Sequence, residues 1–251
     1  MNALLPPGQR ESDTFHRFGQ PRFAERFPSE PSGPSLTITG AVSRERHLVR
    51  ALDGLSRVEQ ISDFHCVTTW SVRGLRWEGV RFAEFYARVV VPHAAPSPGA
   101  TLVALHGQDG ACTGMVLEDL LADDVLLADR LNGEPLSIDH GAPLRLVAPA
   151  HYGYKSVKHL SRIEFREPAS GYRVSGLRFM DHPRARVVLE ERGRSLPGWF
   201  LRFVYRPLIR TTASRFAKAA AKRQEGIGMT DGSATWPVIA PNVRQPALPS
   251  V

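Results

Sequence analysis

The residues best suited to chemistry are few. The chain has two cysteines, Cys66 and Cys112, 46 residues apart and neither in a CxxC pair. Cys66 lies in DFHCVTTWSV, next to His65. A cationic neighbour favours the thiolate, the form of cysteine that binds metals and attacks electrophiles. The same stretch is rich in β-branched and aromatic residues, where a free cysteine also serves as a small buried hydrophobe. Both readings stand on this stretch alone. Cys112, in DGACTG, reads as structural. Nine histidines are present, but no pair forms HExxH and none stands at finger spacing from a cysteine, which argues against a zinc hydrolase or a zinc finger.

A second set lies in HGAPLRLVAPAHYGYKSVKHLSRIEF (140–165). Arg145, Lys155 and Lys158 gather around two turns. A short helix capped by Ser156 would add the free N–H groups of Ser156, Val157 and Lys158, a combination that suits a phosphate or an acceptor-rich heterocycle. A third stretch, 196–224, interleaves Arg202, Arg206 and Arg210 with Trp199, Phe200, Phe203 and Tyr205. It reads as a basic amphipathic segment for docking on a membrane surface or a protein. No nucleic-acid-binding signature accompanies it, so no nucleic-acid partner is expected.

These residues need elements to position them. LTITG (36–40), 61–72, TLVALHG (101–107) and PLRLVAP (143–149) read as strands, and NGEPL (132–136) as a hairpin turn. SRERHLVRALDGL predicts a helix behind Ser43 with Leu48, Leu52 and Leu55 on one face, and 80–90 predicts a short amphipathic helix. Residues 116–128 predict a helix and then a strand, and Pro207 breaks any helix through 196–224. Strands separated by single short helices, without regular βαβ crossovers, indicate a mixed, mainly β, α+β fold. The organisation expected is an extended arm over 1–35 pinned by Phe15, Phe18, Phe23 and Phe27, a domain over 36–170, a C-terminal extension over 171–225 and a flexible tail over 226–251.

Bulk properties narrow the setting. The net charge of +7 favours anionic ligands or surfaces. The first residues, MNALLPPGQRESDTF, lack the pattern of an export signal, and no apolar run is long enough to span a bilayer. With only two cysteines, the expected location is the reducing cytoplasm, with possible peripheral attachment to the membrane.

Taken together, PGQ (7–9), FHRFG (15–19), CVTTWSV with Trp77 and Gly79, NGEPL (132–136), HGAPLRLVAP (140–149) and YGYKSVK (152–158) resemble the molybdopterin-binding domain of the sulfite oxidase family. That family includes the catalytic subunits of bacterial protein-methionine-sulfoxide reductases. The resemblance implies a sulfite-oxidase-type fold and a molybdopterin cofactor with molybdenum, for which Cys66 is the catalytic thiolate ligand. It places the pterin and its phosphate on His16, Arg17, His140, Arg145, Ser156, Val157 and Lys158. The implied reaction is a two-electron oxygen-atom transfer on a small-molecule substrate, either oxidation of a sulfite-like compound or reduction of a sulfoxide or N-oxide. A separate electron-transfer partner is expected, and His65, Trp70 and Tyr154 are candidates for substrate contact. The competing expectation is a non-catalytic binding or scaffold protein that docks through 196–224.

Overall fold

In LLADRL, Leu126 and Ala128 point one way and Leu127 the other, and all three are buried. A strand with apolar residues on both faces must be covered on both sides. That requirement organises the computed structural model, which describes residues 4–28, 33–171 and 180–228.

Two sheets form. The first joins β1 (Arg10–Glu11), β4 (Arg57–His65), β5 (Trp70–Arg81), β8 (Leu126–Leu131), β9 (Glu134–Pro135) and β10 (Arg145–Val147), in the order β1-β5-β8-β10 with β4 on β5 and β9 on β8. The second runs β3-β2-β11-β6-β7, from β2 (Leu36–Gly40), β3 (Arg46–Leu48), β6 (Leu102–Gly107), β7 (Cys112–Val116) and β11 (Leu160–Arg166). Leu127, Val80 and Leu146 from the first sheet meet Ile38, Leu105 and Ile163 from the second in the main core. The opposite face of the first sheet carries Leu126, Ala128, Val147, Trp77 and Cys66 into a second cluster, covered by Phe15 and Phe18 of the N-terminal arm.

The helices before residue 198 are short, as the α+β reading expects, while the C-terminal α5 runs for 21 residues. α1 (Phe82–Phe85), a π-turn over Tyr86–Val90 and α2 (Val91–Ala94) bury Phe82, Phe85, Val90 and Ala94. α3 (Leu117–Leu120) precedes β8. α4 (Gly198–Tyr205) and α5 (Leu208–Gly228) are separated at Pro207, which has no N–H to continue the ladder. The Asn-Gly turn links β8 to β9 with Asn132 and Gly133 both at positive φ, the backbone such a turn demands.

Two local expectations are corrected. The helix expected behind Ser43 is instead β3 followed by turns. Leu36 pairs with Leu48 across the β2–β3 ladder, and positive φ at Arg50 and Gly54 breaks helical continuity. The leucines still serve the core: Leu52 is buried, and Leu48 and Leu55 pack against it, so apolar spacing survived while the backbone chose an edge pairing. No helix starts at Ser156 either. The Ser156 hydroxyl accepts from the Ala148 N–H at 3.1 Å, and the Ser156 and Val157 N–H groups donate to Gly153 and Lys155 within the turn. Of the tail expected over 226–251, residues 229–251 lie outside the described residues, as do 172–179 of the extension.

Candidate cofactor site

Cys66 opens the turn between β4 and β5. Its N–H donates to Trp70 O (2.8 Å), its carbonyl accepts from the Thr69 N–H (3.1 Å), and Thr69 takes φ 83° to close the turn. The arm fastens the same corner: Gln9 Nε2 donates to Cys66 O (3.1 Å), and Gln9 Oε1 accepts from Ser71 Oγ (2.9 Å). The Sγ lies 3.1 Å from the Thr68 hydroxyl. Burial pushes the thiol pKa up, while hydrogen bonds from Thr68 and the charges of Arg192 and Lys158 pull it down.

His65 is not the cation that biases Cys66. In a strand, successive side chains alternate faces, and the His65 ring turns to Ser71 Oγ through Nδ1 at 2.8 Å. Its pKa is lowered, mainly by burial. The cation at the turn is Arg192, fully buried and 125 residues away from the carbonyl it holds. Its guanidinium donates to Val67 O (2.5 Å) and Pro7 O (3.1 Å), pairs with Glu190 (3.0 Å) and lies 4.8 Å over the Tyr152 ring. Nothing in its local spacing marks it; it stands in ERG (191–193) among residues without periodic pattern.

The other predicted residues converge on an aromatic floor made by Phe15, Phe18, Phe64, Trp70 and Trp77. Arg145 leaves the second residue set at the start of β10 and lies 4.9 Å over Trp77 and 5.7 Å over both Phe15 and Phe64. Its guanidinium donates to His140 O (2.8 Å) and Ser156 O (3.3 Å). His140 stacks flat on Phe15, with centroids 4.6 Å apart. The exposed His16 meets Trp70 edge-on, and Arg17 is held between Phe27 and Phe216 while contacting Asp139 at 3.4 Å. Lys158 Nζ donates to Phe18 O (3.1 Å) and lies over Phe216. Gly141, at φ 111°, lets these strands approach: a Cβ there would come within 3.2 Å of Lys158 Cα and 3.1 Å of Arg145 Cβ. Val157 packs in the main core and Ser156 braces Ala148, so their side chains serve the scaffold of the turn.

The electrostatics of this cluster are weighted toward cations, with Asp139 against Arg17 and Asp109 acting more weakly on Lys158. Burial lowers Arg145 to about 9. Burial, then Arg145 and Arg17, lowers Lys158 to about 7. Burial, then Arg145 and Lys158, lowers His140 to about 3. Neither Arg145 nor Lys158 makes an ion pair among the described residues. A cation withdrawn from water without a counter-charge is costly, and an anionic ligand relieves that cost. The Trp70 indole N–H is likewise buried without a hydrogen-bond partner among the described residues.

These features fit molybdopterin. Cys66 is a single thiol, and no three His, Cys, Asp or Glu side chains cluster to hold a metal among the described residues, so a metal bound here would draw its other ligands from a cofactor. The cationic turns match an anionic, acceptor-rich heterocycle. Tyr154 is set apart from the floor. It packs with Val67, Tyr152 and Val187, and its hydroxyl accepts from the His182 N–H at 3.1 Å.

Comparison with known proteins agrees with this chemistry. A family model described as the oxidoreductase molybdopterin binding domain matches residues 25–172. The uncharacterized oxidoreductase YuiH of Bacillus subtilis is 42% identical over 109 residues, covering 43% of this chain and 52% of that protein. The protein-methionine-sulfoxide reductase catalytic subunit MsrP of Gluconobacter oxydans is 30% identical over 206 residues, covering 68% of this chain and 64% of that protein. The chain thus spans about half to two thirds of the length of these curated relatives. A solved structure of the sulfane dehydrogenase SoxCD from Paracoccus pantotrophus aligns over 53% of this chain and 38% of its own, at 23% identity and a TM-score of 0.47.

Proposed function

The chain belongs to the molybdopterin-binding oxidoreductases of the sulfite oxidase family, and we propose that it catalyses a two-electron oxygen-atom transfer on a small substrate, with Cys66 as the protein's thiolate ligand to molybdenum. One observation carries the reading: a buried thiol at the β4–β5 turn shares its aromatic floor with two withdrawn cations, Arg145 and Lys158, that make no ion pair among the described residues.

When bound, molybdopterin supplies a metal centre that exchanges two electrons and one oxygen atom with the substrate. The chain's residues do the rest. Thr68, 3.1 Å from the sulfur, can donate its hydroxyl proton to the thiolate once the thiol proton has left. Gln9 and Arg192 fix the turn, so the sulfur is presented on a rigid corner. Arg145, Lys158, Arg17 and His16 would hold the pterin and phosphate end, the first three being oriented by backbone carbonyls. His140 stays neutral at physiological pH, which makes it a stacking and hydrogen-bonding group.

The substrate is a small molecule of the sulfite, sulfoxide or N-oxide class. Trp70 supplies a buried N–H donor beside Cys66, and His65, bound to Ser71, positions the end of β4. The enzyme works in the cytoplasm and exchanges electrons with a separate carrier protein. Metal analysis with cofactor extraction, on protein made in a cofactor-competent host, tests the assignment. About one molybdenum per chain with releasable pterin is expected, and redox activity is lost in Cys66→Ser. Wild-type protein from such a host holding neither metal nor pterin sinks it.

A further inference from the structure

α4 is held from its inner side. Leu201 and Tyr205 are buried, and Arg202 pairs with both carboxylate oxygens of Glu190, which in turn holds Arg192. The outer side is apolar. Trp199 and Phe203 are 60% and 64% exposed, and Phe200 and Val204 are 43% and 47% exposed. At 100° per residue these four form one continuous arc of about 140°. Leu196 before the helix and Leu208 after Pro207 lengthen the patch, at 44% and 47% exposed. Soluble proteins rarely leave large contiguous apolar patches in water, and aromatic residues predominate in this one.

The charge around the patch says what covers it. Residues 198–228 hold seven Lys and Arg against the single acidic Glu225, and Arg210, Arg215, Lys218 and Lys222 of α5 face solvent. An aromatic-rich apolar face flanked by cations is the composition of an interfacial helix, whose rings enter the boundary between headgroups and acyl chains while the cations meet anionic lipids. A second copy is a poor occupant: it would bring two chains of net charge +7 together by equally basic faces. The mode is surface attachment, since no helix among the described residues is long and apolar enough to cross a membrane.

We propose that the outer face of α4, with the basic face of α5, seats this protein on the surface of an anionic lipid bilayer. The inference stands apart from the cofactor assignment, because none of the residues that carry it touches Cys66, Arg145 or Lys158.

Sedimentation of the full chain with phosphatidylcholine vesicles, with and without phosphatidylglycerol at one part in four, tests it. Binding to the anionic vesicles is expected to be at least about tenfold stronger than to neutral ones at 0.15 M salt, and several-fold weaker at about 0.5 M. The double variant Phe200→Ser/Phe203→Ser should lose at least about tenfold in binding while keeping its melting temperature, because both rings are exposed. Arg210→Glu/Lys218→Glu should erase the preference for the anionic vesicles. Failure to bind either vesicle, equal binding to both, or binding unchanged in the serine variant overturns the proposal. So does a dimer, seen by light scattering and dissolved by the serine variant, with no vesicle binding, since that identifies the occupant as a second copy.

Discussion

Lys155 and Lys158 lie three residues apart in the same connection, and both have ammonium groups withdrawn from water, yet their surroundings are opposite. Lys155 donates to Gly114 O at 2.6 Å and to Asp181 Oδ1 at 3.3 Å, and Asp181 also accepts from Thr113. Lys158 donates to one backbone carbonyl, lies over an aromatic ring and feels the like charges of Arg145 and Arg17 more strongly than the more weakly acting carboxylates Asp109 and Asp139, with neither of which it forms an ion pair. The first lysine is spent on the fold. The second keeps its charge for a ligand, since a buried cation without a counter-ion is tolerated where binding repays its desolvation. The same division separates Arg192, tied to Glu190 and two carbonyls, from Arg145, which among the described residues meets carbonyls and ring faces.

Perturbing each side should give different readouts. The largest effect is expected from Cys66→Ser: on the order of a hundredfold or greater loss of turnover, with little change in the melting temperature of the cofactor-free protein, measured by activity assay and calorimetry. Arg192→Met leaves the Val67 and Pro7 carbonyls without their donor and takes from Glu190 one of its two arginines, Arg202 remaining. A loss of about 3 kcal/mol in the cofactor-free protein is expected, with faster alkylation of Cys66 by iodoacetamide as the turn loosens. Unchanged alkylation would show that Gln9 alone holds the turn.

Asp181→Asn breaks the paired side and should cost about 2–3 kcal/mol of unfolding free energy, read from denaturant melts, with the remaining folded protein still loading cofactor. Lys158→Met should do the reverse: about tenfold weaker cofactor retention on dialysis, and a cofactor-free protein as stable as wild type or more so. If Lys158→Met destabilises the fold as much as Asp181→Asn, the distinction between the two lysines collapses.

The smallest effect is a pH dependence. The folded-state pKa of Lys158 is lowered from 10.5 to about 7. Between these values the unfolded chain binds more protons than the folded one, so stability rises with pH across the window. The penalty is complete below about 7 and relieved toward 10.5. The difference in stability between wild type and Lys158→Met, both cofactor-free, should therefore shift in favour of wild type by on the order of 1–2 kcal/mol from pH 7 to pH 10, after allowance for the partial exposure of the side chain.

Much of the candidate site is legible in the sequence. Cys66, Arg145 and Lys158 stand in short stretches whose order points to one cofactor class, and Gly141 between them reflects a close approach that admits no Cβ. What escaped was governed by distant partners. His65 adjoins Cys66 in the chain but is turned from it by strand alternation, whereas Arg192 reaches the turn from the C-terminal extension. The helix expected over Leu48, Leu52 and Leu55 failed for a related reason: i, i+3 and i+4 spacing records which residues are apolar, while the β2–β3 pairing that captured Leu48 is a contact between segments.

The sequence by itself determined the α+β class, the strands that alternate or run fully apolar, the break at Pro207 and the residue types able to bind a metal and an anionic heterocycle. Those depend on local stereochemistry and on side-chain chemistry. Only the tertiary structure decided which cations are neutralised. Asp181 lies 26 residues from Lys155 and Glu190 two from Arg192, yet it is packing that brings the first pair together, sets the second under Val67 and Pro7, and leaves Arg145 and Lys158 without an ion pair among the described residues. Charge is written in the sequence, but its cost depends on what burial places beside it.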